Sequence, residues 1–474
     1  MKTKIIATVG PASSTESVLK ELIKAGVDVF RLNFSHGDFA FFENIINTIH
    51  KINKEDKTHI AILADLQGPK IRVGKVENDS VVLIDNDIVS ITTQECVSTA
   101  SRLFVSYPLL AQEARKGEKI LIDDGKLLLE VISTNKKDEI KAKVLHGGLL
   151  KSKKGVNLPD TSISQPSLTE KDKENLDFIL NHRIQWIALS FVRSAHDIQE
   201  LKEYVKQHKR AAKVRIMAKI EKPEAIKDID SIISLSDGIM VARGDLGVEL
   251  PLEQVPLMQK EIVRKCLINS KPVVIATQMM ESMINNISPT RAETNDVANS
   301  VLDGADALML SAETSVGEHP VEVIKAMQRI ITYTEQNSIE IYYKHTPPLD
   351  LKNNRYISDS IICNACNLAE QSGAVAIIGM TYSGYSAFAI AAQRPRAAIY
   401  IFTNNHALLS ILSLVWGVQG FYYDKFINTD HTILDIKQRL LKEKLLRKND
   451  LIVNIASTPL TELGMTNMLK LSVV

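Results

Sequence analysis

Six short polar motifs follow apolar segments of this sequence, and their side chains are of the types that bind phosphate groups and divalent cations. They combine arginines, lysines, carboxylates and hydroxyls, at residues 31–36, 65–72, 219–221, 243–247, 277–278 and 311–313. In an α/β barrel, the residues that do chemistry lie where strands end and loops begin. One polar strand end says little, but six in register predict a common site.

Two carboxylates and one lysine form the most informative group. Glu221 and Asp245 follow neighbouring predicted strands, so both could bind one hard cation such as Mg²⁺, which takes one or two protein carboxylates. Lys219 lies two residues before Glu221 and therefore points to the same face of its strand. A lysine that faces the barrel interior needs an anion, either a substrate or Glu221 itself. Each carboxylate taken alone could equally cap a helix or lie on the surface.

A glycine-containing turn and two arginines add donors for a phosphate group. The segment RGDLG at residues 243–247 is a predicted strand-to-helix turn, whose free N–H groups can hold a carboxylate or a phosphate. Arg31 and Arg72 supply forked donors suited to phosphate. Mg²⁺, lysine and arginines around a phosphate are typical of phosphoryl transfer. The P-loop motif and the protein-kinase motifs are absent from the sequence, which excludes both of those folds.

Alternating strands and helices must position these motifs. Apolar runs predict eight strands separated by helices, at residues 4–9, 27–32, 60–66, 186–191, 214–220, 238–242, 273–277 and 307–310. Eight βα units in about 250 residues predict an α/β fold of the closed (β/α)8 TIM-barrel type. An open, doubly wound sheet is the alternative.

Two further units interrupt and follow this barrel. Short β-rich runs with polar turns predict an inserted small β-barrel domain at residues 70–164. A linker near residues 345–348 leads to a smaller C-terminal α/β domain at residues 346–474. The catalytic barrel would therefore comprise residues 1–69 and 165–345.

The composition excludes several classes of protein. The 474 residues carry a formal net charge of +1, so neither nucleic acid nor an anionic membrane is an expected partner. No signal peptide or long uncharged apolar segment is recognisable, and the four cysteines fit a reducing, cytoplasmic environment. Cys363 and Cys366 form a CxxC pair without a second pair at zinc spacing. We interpret them as small core residues of a helix, with a redox or metal role as the alternative.

Long motifs along the whole chain make it similar to the pyruvate kinases. They occur in that family's order, as KIIATVGPAS, FRLNFSHG, DLQGPKIRVG, KKGVNLPD, VRIMAKIEKPEAI, SDGIMVARGDLGVELP, ATQMMESM and PTRAETNDVANSVLDGADALMLSAET. The resemblance implies transfer of a phosphoryl group from phosphoenolpyruvate to ADP, giving pyruvate and ATP in the last step of glycolysis. It also implies Mg²⁺ as the cofactor, with Mn²⁺ as a substitute.

The resemblance further implies roles around phosphoenolpyruvate. Lys219 would neutralise the phosphoryl group in transfer and the enolate oxygen left behind, and Arg31 would bind the phosphate. Glu221 and Asp245 would hold the Mg²⁺. Thr277 would lie near the route by which the enolate carbon gains a proton. The substrate carboxylate would be seated by Gly244, Asp245 and Thr277.

Other residues of the motifs would face the nucleotide. By resemblance these are Asn33, Phe34, Ser35, His36, Arg72 and Lys154. The inserted domain would close over them as a lid and exclude water, which otherwise could accept the phosphoryl group. The C-terminal domain would carry a site for a small effector, and a homotetramer is the expected assembly.

One departure from the family pattern concerns potassium. Many pyruvate kinases bind K⁺ at the positions of Asn33, Ser35, Asp65 and Leu66, and carry glutamate at position 70. Here position 70 is Lys70, as in the potassium-independent branch that the chain resembles. An ammonium group can supply the positive charge that K⁺ gives elsewhere, so we predict that K⁺ is not required. The alternative is that Lys70 merely faces solvent.

A second departure lies in the effector loop. The family's loop reads like TESGRS, whereas this chain has TYSGYS, which retains Thr381, Ser383, Gly384 and Ser386. The later loop at residues 457–466 lacks the basic residues that clamp a bisphosphate. A sugar monophosphate or a nucleoside monophosphate therefore fits better than fructose 1,6-bisphosphate, and loss of regulation is the alternative.

Two rival functions are disfavoured by the same residues. A lyase or mutase that uses phosphoenolpyruvate on a similar barrel would lack the insert at residues 70–164. A catalytically dead metabolite sensor would have lost part of the group that remains here, namely Lys219, Glu221, Asp245 and Thr277.

Overall fold

The amino-terminal residues alternate strand and helix in the computed structural model, which describes residues 1–208, 214–342, 354–425, 428–458 and 465–474. The first elements are β1 (Lys4–Thr8), α1 (Glu16–Ala25), β2 (Val29–Asn33), α2 (Phe39–Glu55) and β3 (Ala61–Asp65). All five residues of β3 are buried, which is typical of a parallel strand covered on both faces. The predicted linker at residues 345–348 lies outside the described residues, as does most of the loop at 457–466.

The inserted segment consists of short strands around a core of its own. Its elements are β4 (Ser80–Leu83), β5 (Ile88–Thr92), β6 (Arg102–Phe104), α3 (Leu110–Glu113), β7 (Lys119–Ile122), β8 (Leu127–Thr134), β9 (Glu139–His146), β10 (Gly148–Lys151) and β11 (Val156–Asn157). They form a six-stranded sheet, β11-β7-β8-β9-β5-β6, and a two-stranded sheet, β10-β4. Buried and partly exposed residues alternate along β8, as expected for strands with one face on a core. One pair, β5–β6, is parallel rather than antiparallel.

The second part of the barrel follows the insert. Its elements are α4 (Glu170–Leu180), β12 (Trp186–Val192), α5 (Ala195–Gln207), β13 (Arg215–Ile220), α6 (Pro223–Lys227), α7 (Ile229–Leu235), β14 (Gly238–Ala242), α8 (Arg243–Glu249), α9 (Val255–Ile268), β15 (Val273–Ala276), α10 (Arg291–Leu302), β16 (Ala307–Leu310), α11 (Ala312–Ser315) and α12 (Pro320–Asn337). Short 3-10 helices lie at Glu77–Asp79, Leu252–Gln254 and Glu281–Ile284.

Eight parallel strands close into a barrel in the order β1-β16-β15-β14-β13-β12-β3-β2. The pairing of β1 with both β2 and β16 closes the ring, so the predicted TIM barrel is confirmed and the open sheet is wrong. All eight strands run in one direction, which brings their carboxyl ends to one face.

The C-terminal unit is a five-stranded sheet with helices. Its elements are α13 (Tyr356–Ser372), β17 (Ala376–Met380), α14 (Tyr385–Ala392), β18 (Ala398–Thr403), α15 (His406–Leu412), β19 (Val418–Tyr422), α16 (Thr429–Lys442), β20 (Leu451–Ala456) and β21 (Met468–Val473). The strand order is β19-β18-β17-β20-β21, and only β21 is antiparallel to its neighbour. The sequence did not indicate β19, because glycine within a short strand weakens the pattern.

The CxxC pair lies on helix α13, as predicted. Cys363 and Cys366 are free and buried, and burial raises the pKa of Cys366 to about 12. A thiol that is protonated and enclosed has little reactivity. The interpretation as core residues is therefore favoured over a redox or metal role.

A buried ion pair connects the C-terminal unit to the barrel. Arg394 is completely buried and donates to Asp306 Oδ2 (2.9 Å) and to the Gly304 carbonyl (2.7 Å). Asp306 immediately precedes β16, and its Oδ1 accepts a hydrogen bond from the Trp416 backbone (3.1 Å). The Arg394 guanidinium also lies 4.8 Å from the Trp416 ring centroid. In the described part of the chain, no helix has the length and apolar character needed to cross a membrane.

Candidate active site

A row of buried charges crosses the carboxyl ends of β2, β3, β12 and β13. Lys219 lies at its centre, with Nζ 3.2 Å from Asp65 Oδ1, 2.9 Å from Glu221 Oε1 and 2.7 Å from Ser190 Oγ. The side chains of Asp65 and Glu221 are each only 1% exposed. The ion pair between Lys219 and Glu221, which the spacing allowed, is therefore present and belongs to a larger network.

Arg31 extends this row towards β1. Its Nε and Nη2 each lie 2.7 Å from Asp65 Oδ2, and its Nη1 donates to Thr8 Oγ1 (3.0 Å). Asp65 therefore holds two cations, Arg31 on one oxygen and Lys219 on the other. Burial raises the pKa of Asp65, but the charges of Lys219 and Arg31 outweigh it and hold that pKa below its ordinary value.

Glu221 is fixed by its backbone surroundings as well as by Lys219. Its Oε2 accepts a hydrogen bond from the Phe191 N–H (2.7 Å). Phe191 has a φ of 55°, beside a register shift in the pairing of β12 with β13. This strained backbone turns the N–H towards the carboxylate, as bulges near active sites commonly do.

The charges of this network shift the pKa values of its members in opposite directions. Burial raises the pKa of Glu221, and the nearby Asp245 carboxylate raises it further, against the opposing effect of Lys219. Burial alone would lower the pKa of Lys219, but Asp65 and Glu221 outweigh it and raise that pKa above its ordinary value. Lys219 therefore stays protonated, next to the carboxylates of Asp65, Glu221 and Asp245.

Asp245 is the third carboxylate near this network. It lies in the first turn of α8 and is half-buried. Within the described ranges, no hydrogen bond or ion pair engages its carboxylate. Its repulsion with Glu221 would be relieved by a cation, and two carboxylates suit Mg²⁺, which completes its octahedron with substrate oxygens and water. The described residues contain no group of three or more metal-binding side chains, which points away from a zinc-type cage.

The turn between β14 and α8 is held by the end of β15. The Gly244 N–H donates to Thr277 Oγ1 (2.7 Å), and a Cβ at position 244 would lie 3.2 Å from the same oxygen. Thr277 itself has a φ of 68°, which is unusual for a β-branched residue. Arg243 braces both segments, since it donates to the Thr277 carbonyl (3.0 Å) and to Asp296 Oδ1 (2.6 Å). A side chain at position 244 would therefore crowd the Thr277 hydroxyl, where the two loops approach closely.

The insert and the barrel enclose a cleft next to this network. We call it the insert–barrel cleft, and its lining includes Lys70, Asp124, Asn157, Lys222 and Asp245. Partial burial and the charge of Arg72 lower the pKa of Lys70, against the opposing effect of Asp245. Among the described residues, Lys70 forms no ion pair with Asp65, whose oxygens are taken by Arg31 and Lys219. Lys70 thus brings an exposed side chain to the lining of the cleft.

Comparison with known proteins places this site in a family. The model described as "Pyruvate kinase, barrel domain" matches residues 1–324, and "Pyruvate kinase, alpha/beta domain" matches residues 359–472. The chain belongs to the pyruvate kinase family.

Its relatives cover the chain from end to end. It is 42% identical to a pyruvate kinase of Geobacillus stearothermophilus, over all of this chain and 80% of that protein. A relative from Corynebacterium efficiens is 41% identical, covering 99% of this chain and 97% of its own. A crystal structure of a pyruvate kinase from Cryptosporidium parvum superposes with a TM-score of 0.93 at 33% identity, over 100% of this chain and 96% of that one.

Four of the residues predicted to face the nucleotide lie at the end of β2 and directly after it. Asn33 Oδ1 accepts a hydrogen bond from the Ser35 N–H (3.2 Å), and the His36 side chain is exposed. Phe34, by contrast, is buried and stacks on Phe42, with ring centroids 4.2 Å apart. The Phe34 ring therefore packs in the core, because an aromatic ring is more stable there than in water, and its place beside the nucleotide stays a prediction.

Two further predicted nucleotide residues lie on the insert. Arg72 donates to the Lys153 carbonyl (3.0 Å), and Lys154 pairs with Asp123 (2.8 Å). Both side chains are partly exposed and charged. Their distance from the barrel site therefore depends on where the insert lies relative to the barrel.

The predicted effector residues surround the start of α14. Thr381 Oγ1 accepts a hydrogen bond from the Gly384 N–H (3.0 Å), and Ser383 Oγ accepts one from the Tyr385 N–H (3.4 Å). The Ser386 side chain is buried, since the second residue of α14 faces the core. Its role towards an effector stays a prediction.

Sequence reasoning missed residues that hold this pyruvate kinase site together. Ser190 connects Lys219 to the Leu66 carbonyl, to which its Oγ donates (2.7 Å). Thr8 supports Arg31, and Asp296 supports Arg243. Ser190 lies within the apolar run of β12, where a single hydroxyl is too common to indicate a site.

Proposed function

We propose that this chain transfers a phosphoryl group from phosphoenolpyruvate to ADP, as its family does. The observation that carries the proposal is the arrangement of Lys219, with Nζ within 3.2 Å of Asp65, Glu221 and Ser190 at the carboxyl end of the barrel. Such a fixed cation is what phosphoryl transfer demands, since catalysis there consists mainly of positioning and charge neutralisation.

Lys219 and Arg31 would neutralise the charge in transfer. Arg31 would bind the phosphate with the guanidinium that Asp65 and Thr8 hold in place, and Lys219 would face the oxygen from which the phosphoryl group departs. Because both cations are buried and already oriented, little reorganisation accompanies the reaction.

Glu221 and Asp245 would hold Mg²⁺, and Mn²⁺ would serve in its place. The metal, when bound, would neutralise charge on the phosphate and carboxylate of phosphoenolpyruvate. Gly244, Asp245 and Thr277 would seat that carboxylate at the start of α8. The pyruvate enolate would then take a proton at its methylene carbon by a route that passes Thr277.

The insert would act as a lid. We infer that residues 70–164 form a domain that closes on the barrel (residues 1–69 and 165–345), bringing Arg72 and Lys154 towards ADP. Asn33, Ser35 and His36 would meet the nucleotide from the barrel side. Closure excludes water, which would otherwise hydrolyse the phosphoryl donor.

Regulation and assembly are proposed on the family relation. Residues 346–474 would form an effector domain, with Thr381, Ser383 and Gly384 contacting a sugar monophosphate or a nucleoside monophosphate. We further propose a homotetramer in the cytoplasm, with no nucleic-acid or membrane partner. Light scattering with and without these phosphates tests both the assembly and its response.

A coupled assay that detects ATP formed from ADP and phosphoenolpyruvate tests the activity. Wild-type protein should turn over, and Lys219→Met should lower kcat by about three orders of magnitude, since it removes the preorganised charge. Lys24→Met, at an exposed lysine of α1, is the matched control and should be unaffected. Circular dichroism shows whether Lys219→Met remains folded. Wild-type turnover in a folded Lys219→Met protein would contradict the role of Lys219.

A further inference from the structure

The carboxylate of Glu249 binds two residues that come from separate parts of the chain. Its Oε1 lies 2.6 Å from Lys222 Nζ and accepts a hydrogen bond from Asn157 Nδ2 (2.8 Å). Asn157 belongs to strand β11 of the insert, whereas Lys222 and Glu249 belong to the barrel. We call these three residues the Glu249 bridge.

The bridge is buried, so the loss of any hydrogen bond or ion pair within it costs free energy. The side chains of Lys222 and Glu249 are 9% and 1% exposed. The second oxygen, Glu249 Oε2, is buried without a hydrogen-bond partner in the described part of the chain. If the amide of Asn157 moved away, Lys222 alone would satisfy a buried carboxylate, which costs free energy. The bridge therefore favours the seated position of the insert.

Each barrel member of the bridge is linked along the chain to one of the two carboxylates assigned to Mg²⁺. Lys222 directly follows Glu221. Glu249 lies four residues after Asp245 on α8, one helical turn away on the same face. A shift of the bridge would therefore be transmitted to both carboxylates.

Helix α8 is held at both ends, with Asp245 between them. Its first turn is fixed through Gly244, whose N–H donates to Thr277 Oγ1 (2.7 Å). Its last residue is Glu249, fixed by Lys222 and by the insert. Removing the insert's contribution loosens one of the two supports of Asp245.

We propose that Asn157, Glu249 and Lys222 are positioning residues that set the two metal-binding carboxylates when the insert is seated. When the insert is seated, the Asn157 amide donates a hydrogen bond to Glu249. This bond helps to fix the end of α8 and the Glu221–Lys222 segment, and thereby the positions of Asp245 and Glu221. This inference rests on the proposed function, in which Glu221 and Asp245 bind the metal and the insert is a lid.

Titration with Mn²⁺, monitored by electron paramagnetic resonance in the presence of phosphoenolpyruvate, tests the proposal without turnover. Asn157→Ala should weaken Mn²⁺ binding by about tenfold, the effect of one hydrogen bond to a charged group. In steady state it should raise the apparent KM for Mg²⁺ with little change in kcat, and circular dichroism shows that the variant remains folded. Gln112→Ala removes an exposed amide elsewhere on the insert and should bind Mn²⁺ like the wild type.

A double-mutant cycle separates positioning from a general effect of the insert. Glu249→Met removes both acceptor oxygens, so adding Asn157→Ala to it should weaken Mn²⁺ binding no further. Additive effects would overturn the proposal, as would wild-type Mn²⁺ affinity in the Asn157→Ala protein.

Glu221→Gln and Asp245→Asn show which inference fails. If these two variants lose Mn²⁺ while Asn157→Ala does not, the Glu249 bridge is refuted and the metal site stands. If both bind Mn²⁺ like the wild type, the metal site of the proposed function is refuted, and the bridge with it.

Discussion

Lys70 lies in the insert–barrel cleft with Asp245, at the position where potassium-dependent pyruvate kinases carry glutamate. We predict that the wild-type enzyme is fully active without K⁺, because the lysine already supplies a positive charge there. Lys70→Glu should create a requirement for K⁺, and Lys75→Glu, at an exposed lysine of the insert, should not. Steady-state assays in potassium-free buffer measure both. Activation of the wild type by about tenfold on adding K⁺, some 1.4 kcal/mol, would contradict the prediction.

Ser190 offers a second test at the scale of single residues. Its hydroxyl accepts from Lys219 and donates to the Leu66 carbonyl, so Ser190→Ala removes one of three groups that orient the ammonium. We expect kcat to fall by about tenfold, as for loss of a hydrogen bond to a charged group. Ser133→Ala, at an exposed serine of β8, is the control. An unchanged kcat for Ser190→Ala would mean that Asp65 and Glu221 suffice to hold Lys219.

Helix α10 illustrates how one element supports the site from a distance. Thr290 and Glu293 form a capping box at its start, as the sequence indicates, and the helix carries Asp296, which holds Arg243. Thr290→Ala should lower the free energy of unfolding by about 1 kcal/mol, measured by urea denaturation. Thr48→Ala, at a partly exposed position of α2, should be neutral or slightly stabilising, because alanine is the better helix former. Equal stability of both variants would exclude a contribution from the cap.

The same cap predicts a dependence on pH. Burial raises the pKa of Glu293, but hydrogen bonds from Ser282 and Thr290 outweigh it and hold that pKa below the ordinary 4.5. A lowered pKa stabilises the fold above pH 4.5, and this contribution is lost as the pH falls through the lowered value. Glu293→Gln should therefore flatten the loss of stability below pH 4.5, measured by thermal unfolding. An identical acid profile in the variant would refute this role.

At the scale of the whole molecule, Arg394 and Asp306 connect the C-terminal unit to the barrel. Arg394→Met leaves Asp306 as a buried carboxylate without its cation, and should cost about 3–5 kcal/mol of stability. We also expect the barrel and the C-terminal unit of the Arg394→Met protein to unfold separately, so that calorimetry shows two transitions. Arg264→Met, at an exposed arginine of α9, is the control. A single transition at the wild-type temperature would show that other contacts dominate this interface.

Apolar runs separated by polar segments predict most of the fold from the sequence alone. The eight barrel strands were predicted because parallel strands buried on both faces appear as continuous apolar runs, such as β3 and β14. The strand β19 was missed because it is short and contains Gly420. The parallel pairing of β5 with β6 was missed because pairing between strands depends on contacts distant in sequence.

The sequence by itself determined the family, the eight βα units and the residue types at each strand end, since local periodicity and long motifs encode them, whereas the pairing of β1 with β16 decided that the barrel is closed. Only the tertiary structure decided which partner each charge has. In the folded chain, the side chains of Phe34 and Ser386 are buried in the core. Asp65 pairs with two cations, and Asn157 donates a hydrogen bond to Glu249 across the insert–barrel boundary. The physical reason is that burial and ion pairing arise from residues far apart in the chain, whose distances no local pattern specifies.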